Sequence, residues 1–135
     1  MTNKNLRQIV VDDGDFSSLN RVIDQSGLAD FLADDGPYTV FAPTDEAFGN
    51  ISEEKIKELF GDNEALANIV NHHIVAGEFS AADLGDLDIV ETIDGAILDV
   101  AKKDGTITID RAEIIRPDVE ASNGVIHAID RVLQP

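Results

Sequence analysis

The hydrophobic period of this chain changes near position 90, and that change constrains the fold more than any other feature. Upstream, apolar residues recur every three or four positions, which is the helical repeat. Phe16, Leu19, Val22 and Ile23 predict a helix that Asp15 caps and Gly27 stops. Leu28 to Ala33 predicts a short second helix. Ser52 heads another, with Ile56, Leu59 and Phe60 on one face, and Asn63 to Asn71 follows with Leu66, Ile69 and Val70 inward. Ser80 to Leu84 adds a turn. Within this helical half, Tyr38 to Phe41 reads as a strand, broken by Pro43-Thr44-Asp45, which caps a turn holding Phe48. Downstream the repeat becomes two. Ile89–Ile93, Ala96–Ala101, Thr106–Asp110, Ala112–Ile115 and Val125–Leu133 predict strands, with hairpin turns at Asp94-Gly95 and Asp104-Gly105. Helices before strands argue an α+β fold on an antiparallel sheet. With 135 residues and no internal repeat, residues 1–135 are expected to form one domain.

Charge narrows the function. Ten Lys and Arg face 27 Asp and Glu, a formal net charge of -17 spread along the chain. Such a field repels nucleic acid and anionic membranes, so neither is expected as a partner. Asp supplies 18 of the acids and Lys only 5 of the bases, the balance of a salt-adapted, halophilic protein. No uninterrupted apolar run exceeds three residues, so no membrane-spanning helix is expected. The absence of Cys excludes a disulfide framework, thiolate zinc sites and cysteine catalysis. Residues 1–7 lack the apolar core of a secretion signal, which fits a cytoplasmic protein if Met1 is the native start, or a leader already removed.

Catalytic signatures are absent: there is no phosphate loop, dinucleotide turn, zinc-protease His-Glu-x-x-His or nucleophile elbow. Asp83, Asp86 and Asp88 lie close enough in sequence to consider a cation, but a solvated loop is the simpler reading. His127 alternates with Val125 and Ile129, which turns it toward the core, and His73 follows an apolar helix face; both read as hydrogen-bonded structural residues. His72 is expected to be exposed. Asn50-Ile51-Ser52 fits a glycosylation triplet. No catalytic, cofactor or metal site is assigned.

Three ordered segments then carry a resemblance. Tyr38-Thr39-Val40-Phe41-Ala42-Pro43-Thr44-Asp45-Glu46-Ala47-Phe48 resembles the first signature of the fasciclin domain family. Asn123-Gly124-Val125-Ile126-His127-Ala128-Ile129-Asp130 resembles its second, and Val70 to Phe79 is similar to its central Tyr-His-Val-Val-Pro-Gly segment. The match runs from about Leu6 to Pro135. It implies a fasciclin-like β-sandwich or wedge of short antiparallel strands with a helical flank. It also implies adhesion and extracellular interaction with no cofactor or catalytic centre. In animal matrix members two segments serve integrin recognition. One, the Tyr-His pair, falls on His72-His73. The other, an Asp-Ile pair within Glu-Pro-Asp-Ile-Met, falls on Asp118-Val119, flanked here by Arg116 and Glu120.

The function expected is therefore a non-enzymatic protein-interaction module of cell adhesion or surface assembly, extracytoplasmic, binding another surface protein or another copy of itself. Its interaction candidates are Asp118, Val119, His72 and His73. Pro117 would stiffen the loop that presents Asp118 and Val119, and Arg116 would relieve the negative field beside them. Asp118 as a turn residue is the structural alternative. Gly124 is expected where a Cβ is forbidden, and Asn123 to bond backbone within its own turn. The alternative functions are an intracellular or periplasmic stress-associated binding domain, and a ligand binder or enzyme with an acidic pocket. A deep pocket joining His73 or His127 to two carboxylates would favour the latter.

Overall fold

A computed structural model describes residues 4–12, 14–27, 37–49, 51–93, 95–110 and 112–132. The expected helix at Leu28–Ala33, the Asn50 triplet and the end of the last expected strand lie outside these residues or run beyond them.

Six α-helices are present among the described residues: α1 (Leu6–Asp12), α2 (Ser17–Ser26), α3 (Asp45–Gly49), α4 (Glu53–Phe60), α5 (Asn63–Asn71) and α6 (Ala81–Gly85). A 3-10 turn at Gly14–Phe16 leads into α2. Local chemistry sets their ends. Gly27 stops α2 in the left-handed conformation, at φ 80°. Asp62 caps α5 by accepting from the Glu64 and Ala65 amides, and Ser80 and Asp83 close a reciprocal capping box on α6. Ser52 and Thr44 cap α4 and α3 in the same way, through the amides of Lys55 and Ala47.

Seven strands among the described residues follow the order β2-β1-β7-β6-β5-β4-β3: β1 (Tyr38–Pro43), β2 (Ile74–Ala76), β3 (Ile89–Glu91), β4 (Ile97–Lys103), β5 (Thr106–Ile109), β6 (Ala112–Ala121) and β7 (Gly124–Ile129). The expected antiparallel sheet needs one correction. β1 and β7 pair in parallel, Tyr38 opposite Gly124 through to Pro43 opposite Ile129. A parallel pair requires a long crossover, and residues 44–123 supply it. Of the expected sandwich or wedge, the sheet takes the wedge form. Val75 bridges Thr92, and the Ile93 amide donates to the Ile74 carbonyl at 2.9 Å, so β2 meets the end of β3. The sheet thus wraps round toward a barrel-like wedge, and the α+β reading stands in this form.

β7 is buried at all six positions because it has a core on each face. Val40, Ala42, Ile126 and Ala128 pack against Leu6, Val10, Leu19, Ile23, Leu66 and Val70 of the helices. Phe41 and Ile129 join Leu84, Leu98, Val100, Ile107 and Ile109 inside the wrapped sheet. The parallel pair is close at its start: a Cβ on Gly124 would overlap the Tyr38 carbonyl oxygen. Backbone approach, and no positive φ, is what requires glycine there.

Candidate interaction surface

The residues singled out from the sequence lie on or beside β6, β7 and the α5–β2 junction. The expected loop at Pro117 is instead part of β6. Two register shifts, between Ile114 and Arg116 and between Arg116 and Val119, let the strand absorb the proline. Asp118 takes the left-handed conformation at φ 57°, and among the described residues the other two non-glycine positions with positive φ, Asp104 and Asp110, are also aspartates.

Asp118 is exposed, yet both its backbone and its side chain are engaged. Its Oδ1 accepts from the Ala81 amide at 2.8 Å, the first amide of α6. Its own amide donates to His127 Nδ1 at 3.1 Å. Val119 is half-buried against the helical core. Arg116 lies against the helical core. It is half-buried, with its guanidinium 5.4 Å from the centre of the Phe16 ring.

The two neighbouring histidines are both interior, which corrects the exposed position expected of His72: it is 5% exposed and His73 2%. α5 keeps helical geometry through His72 (φ -69°, ψ -13°), and the chain enters β2 at Ile74, so both rings turn inward, edge to face at 6.3 Å. His73 Nδ1 lies 2.6 Å from the Ile69 carbonyl.

His127 is fully buried, as its alternation predicts. Nδ1 accepts from Asp118, so Nε2 carries the proton and donates to the Phe79 carbonyl at 2.7 Å. Burial lowers its pKa below the usual 6.5, outweighing the Phe79 carbonyl and the Asp118 charge, which pull it upward. The ring is a neutral strut between β7, β6 and the segment before α6.

Similar long-range bonds account for other signature residues. Asn123 reaches well beyond its own turn: its Oδ1 accepts from the Leu6 amide at 2.8 Å, the first of α1, across 117 residues. Asp45 Oδ1 accepts from the Ser18 amide at 2.7 Å, at the N-terminus of α2, whose N-cap residue is Phe16 rather than Asp15. Thr39 Oγ1 donates to the Gly77 carbonyl and accepts from the Phe79 amide. Three helices are thus capped by side chains distant in sequence. The roles of Asp45 and Thr39 were not read from the sequence, because neither has a local partner to betray it.

Glu78, Ser80, Asp83, Asp118, Glu120 and Val125 line a concavity of about 380 Å³ over this region. His127 lies beneath it with both ring nitrogens bonded, and is not among its lining residues. Asp83 Oδ2 is itself held by the Ser80 amide in the α6 cap. Among the described residues no group of three His, Asp or Glu side chains is arranged to hold a metal ion, Asp83, Asp86 and Asp88 included. No helix of the described residues is long and apolar enough to cross a membrane.

A helix-flanked mixed sheet, wrapped on itself and pinned by long-range caps, is the class of protein defined here. The fasciclin domain model matches residues 14–135, and the chain belongs to the fasciclin domain family. The uncharacterized protein sll1735 of Synechocystis is 40% identical over 129 residues, covering 96% of each chain. Transforming growth factor-beta-induced protein ig-h3 of Sus scrofa is 38% identical over 132 residues, but this chain spans only 19% of it. The solved FAS1 domain pair from the insect cell adhesion molecule fasciclin I superposes at a TM-score of 0.79. That match covers 98% of this chain and 51% of the pair at 20% identity, and so speaks for the fold.

Proposed function

We propose that the chain is a non-enzymatic protein-interaction module of the fasciclin type, acting in adhesion or surface assembly as one domain over residues 1–135. One observation carries this reading. The polar residues Thr39, Asp45, Asp118, Asn123 and His127 of the matched segments are each engaged by backbone groups that hold elements together. The motifs therefore preserve a framework, and partner choice falls to the residues the framework displays. Asp118 and His73 are read as framework on the same ground, and His72 and Val119 as framework because they pack into the interior. A fold shared with an insect cell adhesion molecule agrees with that role. The high negative charge is read as salt adaptation.

The test uses beads coated with the full chain and presented to cells of the source organism. Retention of the beads, competed by soluble chain, is expected. Retention no greater than with heat-denatured chain overturns the reading.

A further inference from the structure

The wrapped sheet carries an apolar patch on its outer face. Ile89 of β3 and Ile97 of β4 are 52% and 53% exposed, although Val90 and Leu98, their neighbours in sequence, are buried. The register pairs Ile89 with Asp99 and Glu91 with Ile97. All four alternate with buried residues and so share the outward face. They form a two-by-two checker, isoleucines on one diagonal and carboxylates on the other. Diagonal neighbours on such a face lie about 7–8 Å apart, close enough for one partner side chain to touch both isoleucines.

A concavity of about 350 Å³ adjoins the checker, lined by Asp99, Ala101, Thr108 and Asp110. The Asp110 amide donates to the Asp99 carbonyl at 2.7 Å, which brings these two acids side by side over a floor of small residues. Such a hollow has the charge and room for one Lys or Arg head group.

The pattern selects the occupant. A second copy of this chain would set carboxylate against carboxylate, between two molecules of net charge -17 each. A surface that offers apolar contacts alternating with Lys or Arg matches every square. Resting on the interaction reading above, we infer that the outer face of β3 and β4 docks a basic amphipathic protein segment. Its apolar side chains cover Ile89 and Ile97, and one cationic side chain enters between Asp99 and Asp110.

The test is isothermal titration of the full chain with a nine-residue peptide alternating Lys and Leu, beside a peptide alternating Glu and Leu. The Lys-Leu peptide is expected to bind and the Glu-Leu peptide not to. The pair Ile89→Ser and Ile97→Ser should weaken binding at least tenfold, as should the pair Asp99→Asn and Asp110→Asn. Ile115→Ser, which removes an exposed isoleucine outside the patch, should change it less than twofold. Thermal melting of each variant confirms the fold. Equal binding by all variants would show diffuse charge adsorption and overturn the inference, as would binding of the Glu-Leu peptide. Cell retention of beads carrying Ile89→Ser and Ile97→Ser at the native level would overturn this docking face while leaving the interaction reading intact.

Discussion

Replacing Asp118 separates a framework residue from a contact residue. Asp118→Ala removes the acceptor from the first amide of α6 and puts an alanine where φ is 57°. Loss of a helix cap costs about 1 kcal/mol, and a left-handed conformation, which aspartate tolerates better than alanine, costs the alanine about 1 kcal/mol more. The sum is about 2 kcal/mol, or roughly 6–10 °C in melting temperature for a chain of this length. Two further substitutions divide that sum. Asp118→Gly restores backbone freedom but not the cap, so it should cost about 1 kcal/mol. Asp118→Asn keeps an acceptor and tolerates the left-handed region, so it should cost less than about 0.5 kcal/mol. Urea unfolding followed by circular dichroism measures all three. An alanine variant as stable as the parent, or an asparagine variant less stable than the alanine, would refute the framework role. Partner binding per folded molecule should be unchanged throughout.

Three other outcomes follow from the structure. Gly124→Ala drives a methyl group into the Tyr38 carbonyl oxygen between the two central strands, and should cost at least about 3 kcal/mol or abolish folding, as read by urea denaturation. The lowered pKa of His127 means that the unfolded chain takes up a proton the folded chain resists; stability should therefore fall as pH drops below about 6.5. Between pH 7.5 and 5.5 the parent should lose more unfolding free energy than His127→Gln does, and equal losses would remove His127 from the account. Molar KCl shortens the Debye length from about 30 Å in dilute buffer to about 3 Å, so the melting temperature should rise by several degrees, and a salt-independent value would contradict self-repulsion at net charge -17.

Local features of the fold were legible wherever a residue's partner lies within a few positions. Gly27, Ser52 and Ser80 end or begin helices as their types require, and the Thr106–Ile109 alternation forms an alternately buried strand. What the residues did not reveal was pairing at a distance. Six buried positions in β7 are compatible with either strand direction, and only the tertiary fold sets Tyr38 beside Gly124 in parallel. Asp118 and Asn123 were recognised as turn formers, because an aspartate or asparagine near proline or glycine usually is one. What that reading missed is that their acceptors serve helix ends 37 and 117 residues away. His72 was misplaced because two adjacent residues on a helix cannot share a face, whereas at a helix end the turn into β2 carries both inside.

The bond from Asn123 to Leu6, with that from Ser122 to the Lys4 carbonyl, also has a consequence for synthesis. Helix α1 has seven residues, too few to persist alone in water. Its cap is translated 117 residues later, roughly 6–23 s at cellular elongation rates. β1 likewise waits for β7, whose residues follow it by 86 positions (Tyr38 to Gly124), so neither core can close until the final strand leaves the ribosome. The nascent chain therefore spends that time with its first apolar face uncovered, and folds late and all at once, at the slow end expected for high contact order. Its density of acidic charge is then a protection during biogenesis, since each unfinished chain repels the next before any of them has a core.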